Sequence, residues 1–375
     1  MPHKQFDRSD LVIKSLDERK HQINFSEKHV PLDYLPENLK DSDLELIRIT
    51  AERILRARSS EKPVILAFGA HTIKNGLGPV LTEMIRRGWV THLATNGAGI
   101  IHDWEFSFMG QSGENVKENV SVGQFGIWEE TGLFLNLAIV AGAYEKLGYG
   151  ESVGKMIFRE GLYIPEKEQL ISEAVKNIKT DPDLSAAAID FYDVIRRRRL
   201  KPGFLPIPHP FRSYSLQCAA FELNIPFTGH PMIGHDIIYT HPLNHGAAIG
   251  RTALRDFLSY ADSVSNLDGG VYISVGSAVM SPMIFEKSLS MAQNIEIKNG
   301  GLIRNHFMLV ADLAENTWDW KSNGEPPPDN PSYYLRYCKT FSRMGGEMHY
   351  LTADNRDFLC QLYHCLAESE NSKLS

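Results

Sequence analysis

The sequence predicts an α/β fold in which a parallel β-sheet is covered by helices on both faces. Short apolar runs at residues 64–68 and 90–94 stop at loops of small residues, which is typical of strands buried on both faces. Between these runs, residues 79–87 have apolar side chains at helical spacing, so the segment has the strand–helix–strand order of a parallel βαβ unit. Two further apolar runs, at 270–275 and 306–311, extend the pattern and predict more strands of the same sheet.

Proline and glycine positions predict the domain organisation. Residues 1–60 are interpreted as an N-terminal extension followed by a helix, and residues 61–366 as a single α/β domain. Within this domain, 151–200 is interpreted as a helical insertion, and the Gly-, Ser- and Asn-rich segment 104–127 as a long ordered loop over the strand ends. Residues 367–375 are predicted to be a frayed tail.

Composition excludes several classes of protein. The 375 residues are 43% hydrophobic with a net charge of −7, which supports a large core and argues against nucleic acid as a partner. No apolar run reaches the roughly 18 residues that a membrane-spanning helix needs. The four cysteines have no CxxC spacing and the first ten residues are polar, so we expect a cytoplasmic protein without disulfides or structural zinc.

Three loops of small residues follow predicted strands, at 69–78, 95–99 and 276–278. Carboxyl ends of parallel strands meet at one edge of the sheet, where ligands bind in open α/β folds, and exposed backbone N–H groups there suit phosphate. The alternative is that these glycines only make turns, but two such loops on adjacent strands favour a ligand site. Neither loop is a GxGxxG fingerprint or a Walker loop.

A histidine-rich loop at 229–246 is the main candidate for chemistry, and it contains His230, His235, Asp236, His241 and His245. One interpretation is a metal site, although the spacing matches no known metal signature. A second, which we favour, is that His241 with Asp236 forms a polar anchor or acid–base pair. A third is that these histidines make ordinary hydrogen bonds.

Two single residues are further candidates. Asp312 follows a predicted strand, where a carboxylate can hold a ribose hydroxyl or a substrate amine, or can instead cap a helix. Lys339 lies between aromatic residues in the sequence YYLRYCKTF. It is a candidate nucleophile, with a lysine that merely extends over apolar surface as the alternative.

Four segments together resemble the deoxyhypusine synthase family, in the family's order and over roughly half of the chain. Residues 64–103 resemble the start of its NAD-binding domain, with TNGAG at 95–99 in place of the family's Thr-Thr-Ala-Gly-Gly. DIIYTH at 236–241 is similar to the family's Asp-Met-Ile-Phe-Phe-His, and GVYISVGSAV at 270–279 to its glycine-rich strand end. VADLAE at 310–315 is similar to its Ile-Asn-Thr-Ala-Gln-Glu.

The resemblance implies a Rossmann-like, deoxyhypusine-synthase-like fold that binds NAD at the carboxyl ends of its strands and forms homo-oligomers, here a dimer or tetramer. Members of that family oxidise spermidine with NAD and pass an aminobutyl group through an imine on a lysine. The residues implied to hold NAD are Gly69, Ala70, His71, Thr72, Thr95, Asn96, Gly97, Ala98, Gly99, Gly276, Ser277, Ala278 and Asp312. Those implied to hold the substrate are His102, Asp103, Asn244 and Glu315.

The sequence also departs from the family. Ile101 and His102 stand where the family has two glutamates, and His71 stands where it has asparagine. Lys339 lacks the Trp-Gly-Lys context of the family's imine-forming lysine.

The sequence therefore predicts an NAD-dependent enzyme that transiently oxidises a small amine- or alcohol-bearing substrate, with an imine on Lys339 as an optional group-transfer step. Two alternatives stay open: a metal-dependent hydrolase or lyase that uses the histidines of residues 230–245, and a protein that binds NAD or another nucleotide without turnover.

Overall fold

The computed structural model describes residues 3–374, with side chains described through residue 370. The ten strands formed by this part of the chain are β1 (Ile23–Asn24), β2 (Val64–Phe68), β3 (His92–Thr95), β4 (Gln111–Ser112), β5 (Gly161–Ile164), β6 (Gly203–Pro206), β7 (Phe227–Gly229), β8 (Val271–Val275), β9 (Phe307–Asp312) and β10 (Glu347–Thr352).

Sixteen α-helices connect or flank these strands within the described residues. They are α1 (Phe25–Lys28), α2 (Asp41–Ser59), α3 (Ala70–Lys74), α4 (Gly78–Arg86), α5 (Gly97–Met109), α6 (Val116–Ser121), α7 (Glu129–Tyr144), α8 (Tyr149–Arg159), α9 (Lys167–Asn177), α10 (Pro182–Arg198), α11 (Leu216–Glu222), α12 (Gly246–Ser265), α13 (Met280–Lys298), α14 (Trp320–Asn323), α15 (Cys338–Arg343) and α16 (Asn355–Leu374).

The central sheet has six parallel strands in the order β7-β3-β2-β8-β9-β10. β2 lies between β3 and β8. Its residue Leu66 pairs with Leu93 of β3 on one side and with Ile273 of β8 on the other. The chain first adds strands outward from β2 toward β7, and then returns to place β8 on the other side of β2. The parallel sheet predicted from the apolar runs is confirmed.

Alternate residues of the strands point into two separate apolar cores. Leu66 and Leu93 belong to the core shared with α2 and α16, whereas Ile65 and Ala94 belong to a second core with α12 and α13. Because both sides of the sheet are covered, every residue of β2 is buried. This two-sided burial explains the continuous apolar runs in the sequence and confirms helices on both faces.

The loop predicted over residues 104–127 is wrong for most of its length. α5 begins inside the small-residue segment at Gly97 and continues to Met109, where Gly110 ends it at φ 70°. Trp104 and Phe106 are buried, but so are Asp103 and Glu105, so the helix has no polar face that periodicity could detect. β4 and α6 follow, and β4 pairs antiparallel with β1.

Regular secondary structure is found near both ends of the described residues. β1 ties the N-terminal extension to the domain, and Leu16 and Phe25 are part of the first core. α16 begins at Asn355 and continues to Leu374, so it includes residues assigned to a frayed tail; Ser375 lies outside the described residues. Segment 151–200 contains β5, which pairs antiparallel with β6, in addition to helices α8 to α10. Across the described residues, no helix combines the length and apolar character needed to cross a membrane.

Candidate functional site

The strand order creates a crevice at one place on the sheet. Numbered by chain order, the six strands lie as 3-2-1-4-5-6, so the direction in which strands are added reverses between β2 and β8. Loops leaving the carboxyl ends of two such neighbours diverge, and the crevice between them is where open α/β sheets bind ligands. Gly69 N donates to Val275 O at 3.0 Å and Gly276 N to Ala311 O at 2.9 Å, so pairing continues up to the point of divergence.

Three of the predicted cofactor glycines have an internal packing role. A Cβ on Gly69 would overlap the carbonyl oxygen of Gly276, and one on Gly97 would overlap the Asp236 carboxyl group. A Cβ on Gly99 would likewise overlap the Thr95 hydroxyl. Gly276 differs, because it is exposed at φ 56° and a Cβ there would meet nothing within 4 Å. Gly276 therefore leaves its backbone open to a ligand, whereas the other three glycines allow neighbouring loops and side chains to pack closely.

Free backbone N–H groups gather at the same edge. The first residues of a helix have no intrahelical acceptor for their N–H groups, which leaves Gly97 and Ala98 of α5 unpaired among the described residues. Asn96 caps this helix through Oδ1, which accepts from Gly99 N at 2.9 Å. The N–H groups of four more predicted cofactor residues also lack an acceptor within residues 3–374: Ala70, His71, Ser277 and Ala278.

The remaining predicted cofactor residues of these loops have structural contacts. Thr95 Oγ1 donates to Phe68 O at 2.9 Å and so ties β3 to the end of β2. Thr72 is buried in α3, and its N–H donates to Gly69 O at 3.0 Å.

A cavity of about 210 Å³ opens beside the start of α5. Its volume is smaller than that of a pocket for a drug-sized ligand and suits a small polar molecule. It is lined by Ala98, Ile101, His102 and Glu105 of α5, by Arg19, Lys74, Gly113, Glu114, Val116 and Phe125, and by His235, Asp236 and Ile237 of the histidine-rich loop. The start of α5 thus borders this cavity at the same edge of the sheet as the crevice.

Asp236 is the distinctive group of the cavity. Its carboxyl group fills the space beside Gly97, and Oδ2 is closed to solvent without a hydrogen-bond partner within residues 3–374. Burial raises the pKa of Asp236 to about 6. The hydroxyls of Tyr149 and Tyr239 are likewise buried and unpartnered, and in addition to burial the charge of Asp236 raises the pKa of both. Unpartnered buried polar groups are rare in folded proteins and often mark a ligand site.

The charges on the other walls are mostly neutralised within the protein. Arg19 pairs with Glu105 through two hydrogen bonds of 2.8 and 2.7 Å, and both side chains are buried. His102 Nδ1 lies 2.6 Å from Ser112 Oγ, and burial lowers the pKa of His102 to about 4, which keeps its ring neutral at pH 7. The Lys74 ammonium lines the cavity and has no carboxylate partner within the described chain.

The structure does not bring His241 to Asp236. His241 is buried, with Nε2 3.2 Å from Glu129 Oε2 and Nδ1 accepting from Leu243 N at 3.1 Å. Because Nδ1 is an acceptor, Nε2 carries the ring proton and donates to Glu129, so neither nitrogen is free to take a proton. Within residues 3–374 the His241 ring therefore has other partners, and it forms no hydrogen bond with Asp236.

Two predicted substrate residues hold the fold instead. Asp103 of α5 is buried against the start of α11. Its carboxylate accepts from Ser215 Oγ at 2.6 Å and from Leu216 N at 2.9 Å. Asn244 donates to Asn136 Oδ1 at 2.9 Å, and Asn136 in turn donates to backbone carbonyls. Neither residue lines the cavity.

The predicted residues beyond β9 lie in a different environment. Asp312 accepts from Arg336 Nε at 2.9 Å and from Ala314 N at 3.1 Å, so its Oδ1 is already occupied. Glu315 is exposed. Lys339 Nζ lies 3.8 and 4.3 Å from the ring centroids of Tyr333 and Tyr334, in cation–π contact rather than in the cavity.

The histidines of residues 229–246 are dispersed. His230 contacts Thr228 Oγ1 at 2.9 Å, His235 is exposed, and His245 Nδ1 accepts from Ala248 N at the start of α12. Within the described part of the chain, no group of three or more His, Cys, Asp or Glu side chains is placed to hold a metal ion. The metal interpretation of this loop therefore finds no set of ligands.

Sequence reasoning missed Lys74, Tyr149, Tyr239 and the Arg19–Glu105 pair. Tyr149 and Tyr239 look like ordinary core aromatics in the sequence, and only the lack of a partner for each hydroxyl distinguishes them. Arg19 lies in a polar N-terminal stretch that contains no motif.

Comparison with known proteins assigns no family, because no family model and no curated protein matches the chain. The ternary complex of AgrE with ornithine and NAD⁺ matches 89% of this chain at 15% identity and a TM-score of 0.46, and the chain spans 34% of that protein. The apo structure of ArgZ, an arginine dihydrolase from the cyanobacterial ornithine–ammonia cycle, matches 89% at 12% identity and 0.43, with 33% of its length spanned. A conserved LOR/SDH protein from Methanococcus maripaludis S2 matches 91% at 13% identity and 0.44, with 74% spanned. At these values the likeness transfers no activity to the chain.

Proposed function

We propose that this protein is an NAD-dependent enzyme that oxidises a small amine-bearing substrate. The observation that carries the proposal is the 3-2-1-4-5-6 strand order, with the crevice between β2 and β8 edged by unpaired N–H groups. This strand order is the one in which dinucleotides lie across the point of reversal.

The residues at the crevice fit a dinucleotide. The diphosphate would accept hydrogen bonds from the N–H groups of Ala70 and His71 after β2, and from those of Ser277 and Ala278 after β8, across the crevice. Gly276 supports this placement, because its exposed backbone has open space where a side chain would stand. Bound NAD would supply a hydride acceptor.

The cavity fits a small substrate with an amine. Asp236 offers an unpaired carboxylate to a substrate ammonium, which would restore a partner to Oδ2. Lys74 offers a cation to an acidic group of the same substrate. A molecule carrying both charges would neutralise the two free charges that line the site, so an amino-acid-like amine is the preferred substrate class.

The pKa of Asp236, about 6, suits a general base near neutral pH. Oδ2 would take one proton from the substrate ammonium. The nitrogen lone pair released in this way can then form a C=N bond as the adjacent carbon gives up its hydride. Oxidation of the amine thus needs only Asp236 as a proton acceptor. The stacking of Lys339 on Tyr333 and Tyr334 gives no support to a covalent group-transfer step.

The test is amine-dependent formation of NADH, followed by absorbance with a panel of amino acids and diamines. We expect at least one amine to reduce NAD with the wild-type protein, and the same rate with Val175→Glu, a control substitution at an exposed position on α9. NAD binding without reduction by any amine of the panel would contradict the enzymatic proposal and favour a sensing role.

A further inference from the structure

A second cavity, of about 510 Å³, lies at the opposite edge of the sheet. It is bordered by the amino ends of β8, β9 and β10, the ends remote from the crevice. Its lining residues include Arg53 and Arg56 of α2, Arg304 and His306 before β9, and Gly346 and Glu347 at the start of β10.

The three arginines give this cavity a positive potential. Arg53 Nη2 lies 2.7 Å from Glu347 Oε2, whereas the guanidinium groups of Arg56 and Arg304 have no acceptor among the described residues. Both are exposed at the rim, so their charges face the cavity mouth without an acidic neighbour to neutralise them.

Among the described residues that line the cavity, Glu347 has the one carboxylate, and that carboxylate is already paired with other side chains. Its carboxylate contacts Arg53, Lys321 Nζ at 2.8 Å and His349 Nε2 at 2.8 Å. Asp268, in the loop between α12 and β8, accepts from the backbone N–H groups of Arg304 and Asn305. Neither acid therefore cancels the charges of Arg56 and Arg304.

His306 supplies an independent sign of a ligand. Its side chain is 1% exposed and lines the cavity, and in the described part of the chain neither Nδ1 nor Nε2 has a hydrogen-bond partner. Burial lowers the pKa of His306 to about 4, so at pH 7 its neutral ring has one N–H to donate. The N–H of this buried ring, beside two unpaired arginines, lacks an acceptor that an anion would supply.

We propose that this cavity binds a small, multiply charged anion that carries phosphate groups or several carboxylates. Guanidinium groups recognise both by paired, charge-assisted hydrogen bonds, and His306 would supply a buried donor at the base of the cavity. The site is separate from the crevice, because the two lie at opposite ends of the same strands.

The test is isothermal titration of the full chain with inorganic pyrophosphate and, separately, citrate at matched ionic strength. We expect at least one of the two to bind, and to bind at least about tenfold more weakly to the double variant Arg56→Ala/Arg304→Ala, since the variant lacks both charge-assisted donors. Comparison of pyrophosphate with citrate distinguishes a phosphate from a polycarboxylate ligand.

The matched control is Arg48→Ala/Arg196→Ala, which also removes two exposed arginines but neither from this cavity. It should bind the anion as the wild type does. Three results would overturn the proposal: no binding of either anion, equal weakening in both double variants, or competition with NAD, which would place the anion in the crevice instead.

Discussion

Two aspartates, one within α5 and one packed against its first residue, differ in how many hydrogen bonds their carboxylates accept. Asp103, within the helix, accepts four hydrogen bonds from three residues: Ser215 Oγ, Leu216 N, Gln217 N and Gln217 Nε2. The carboxylate of Asp236, against the first residue of the helix, accepts no hydrogen bond from the described residues. Both were candidates from the sequence, but only the second has a carboxylate available to a ligand.

The number of hydrogen-bond donors around a buried carboxylate indicates whether it stabilises the fold or is available to a ligand. A buried carboxylate that is fully hydrogen-bonded stabilises the elements that donate to it, here the start of α11. A carboxylate left without donors costs folding free energy, and such a cost is expected where a substrate supplies the missing partner. The two sites should therefore respond in opposite ways to substitution.

The largest expected effect is on turnover at Asp236. Asp236→Asn keeps the shape of the side chain but cannot accept the substrate proton, so kcat/KM for the amine should fall by about 100- to 10,000-fold. Steady-state NADH formation measures the effect, and NAD affinity should stay within about twofold. An Asn variant with wild-type turnover would show that Asp236 is not the base.

Substitution at Asp103 should affect stability. Asp103→Ala leaves buried donors of Ser215, Leu216 and Gln217 without an acceptor, and we expect the free energy of unfolding to fall by about 3 kcal/mol. Urea unfolding followed by tryptophan fluorescence measures this change. Asp236→Ala is the matched control, and an equal loss of stability in both variants would remove the distinction between the two aspartates.

The pH dependence of turnover should report the raised pKa of Asp236. The base must be ionised to accept a proton, so kcat/KM should be constant above about pH 7 and fall tenfold per pH unit well below pH 6. A profile measured in buffers of constant ionic strength checks this. An acid limb near pH 4, the range of an ordinary aspartate, would contradict the burial of the carboxylate.

The smallest expected effect is a gain in stability from Asp236→Asn. The folded pKa of Asp236 lies above its unfolded value, so protonation favours the folded state below about pH 4, and this contribution is lost as pH rises through 6. The raised pKa costs the charged form about 3 kcal/mol at pH 7. A neutral amide avoids this cost but leaves its own NH₂ unpaired, so we expect a net stabilisation of about 1 kcal/mol at pH 7 that disappears at pH 4. Urea unfolding at both pH values measures it, and destabilisation at pH 7 would mean that the carboxylate has a partner in solution.

Apolar patterning was sufficient to predict the four central strands of the sheet but not its edge strand β10 or all of the surrounding helices. The buried runs at β2, β3, β8 and β9 predicted strands because burial on both faces leaves a continuous apolar sequence. Burial also explains why α5 was not predicted. Asp103 and Glu105 are buried beside Trp104, so the helix has no solvent-facing side and no helical periodicity of polar residues.

The candidate site was predictable only in part. Small residues after β2, β3 and β8 located the edge of the sheet, but the packing roles of Gly69, Gly97 and Gly99 depend on neighbours distant in sequence. Likewise, the His241–Glu129 contact and the isolation of Asp236 are products of tertiary packing that spacing along the chain cannot reveal.

The central claim is that a dinucleotide lies across the crevice between β2 and β8, and isothermal titration with NAD tests it most directly. We expect one site per chain in the wild type and in the surface control Val175→Glu. In Ala278→Glu a carboxylate would occupy the diphosphate position beside Gly276, so affinity should fall by at least about tenfold through like-charge repulsion. No binding of NAD to the wild type, or equal binding to Ala278→Glu, would contradict the account.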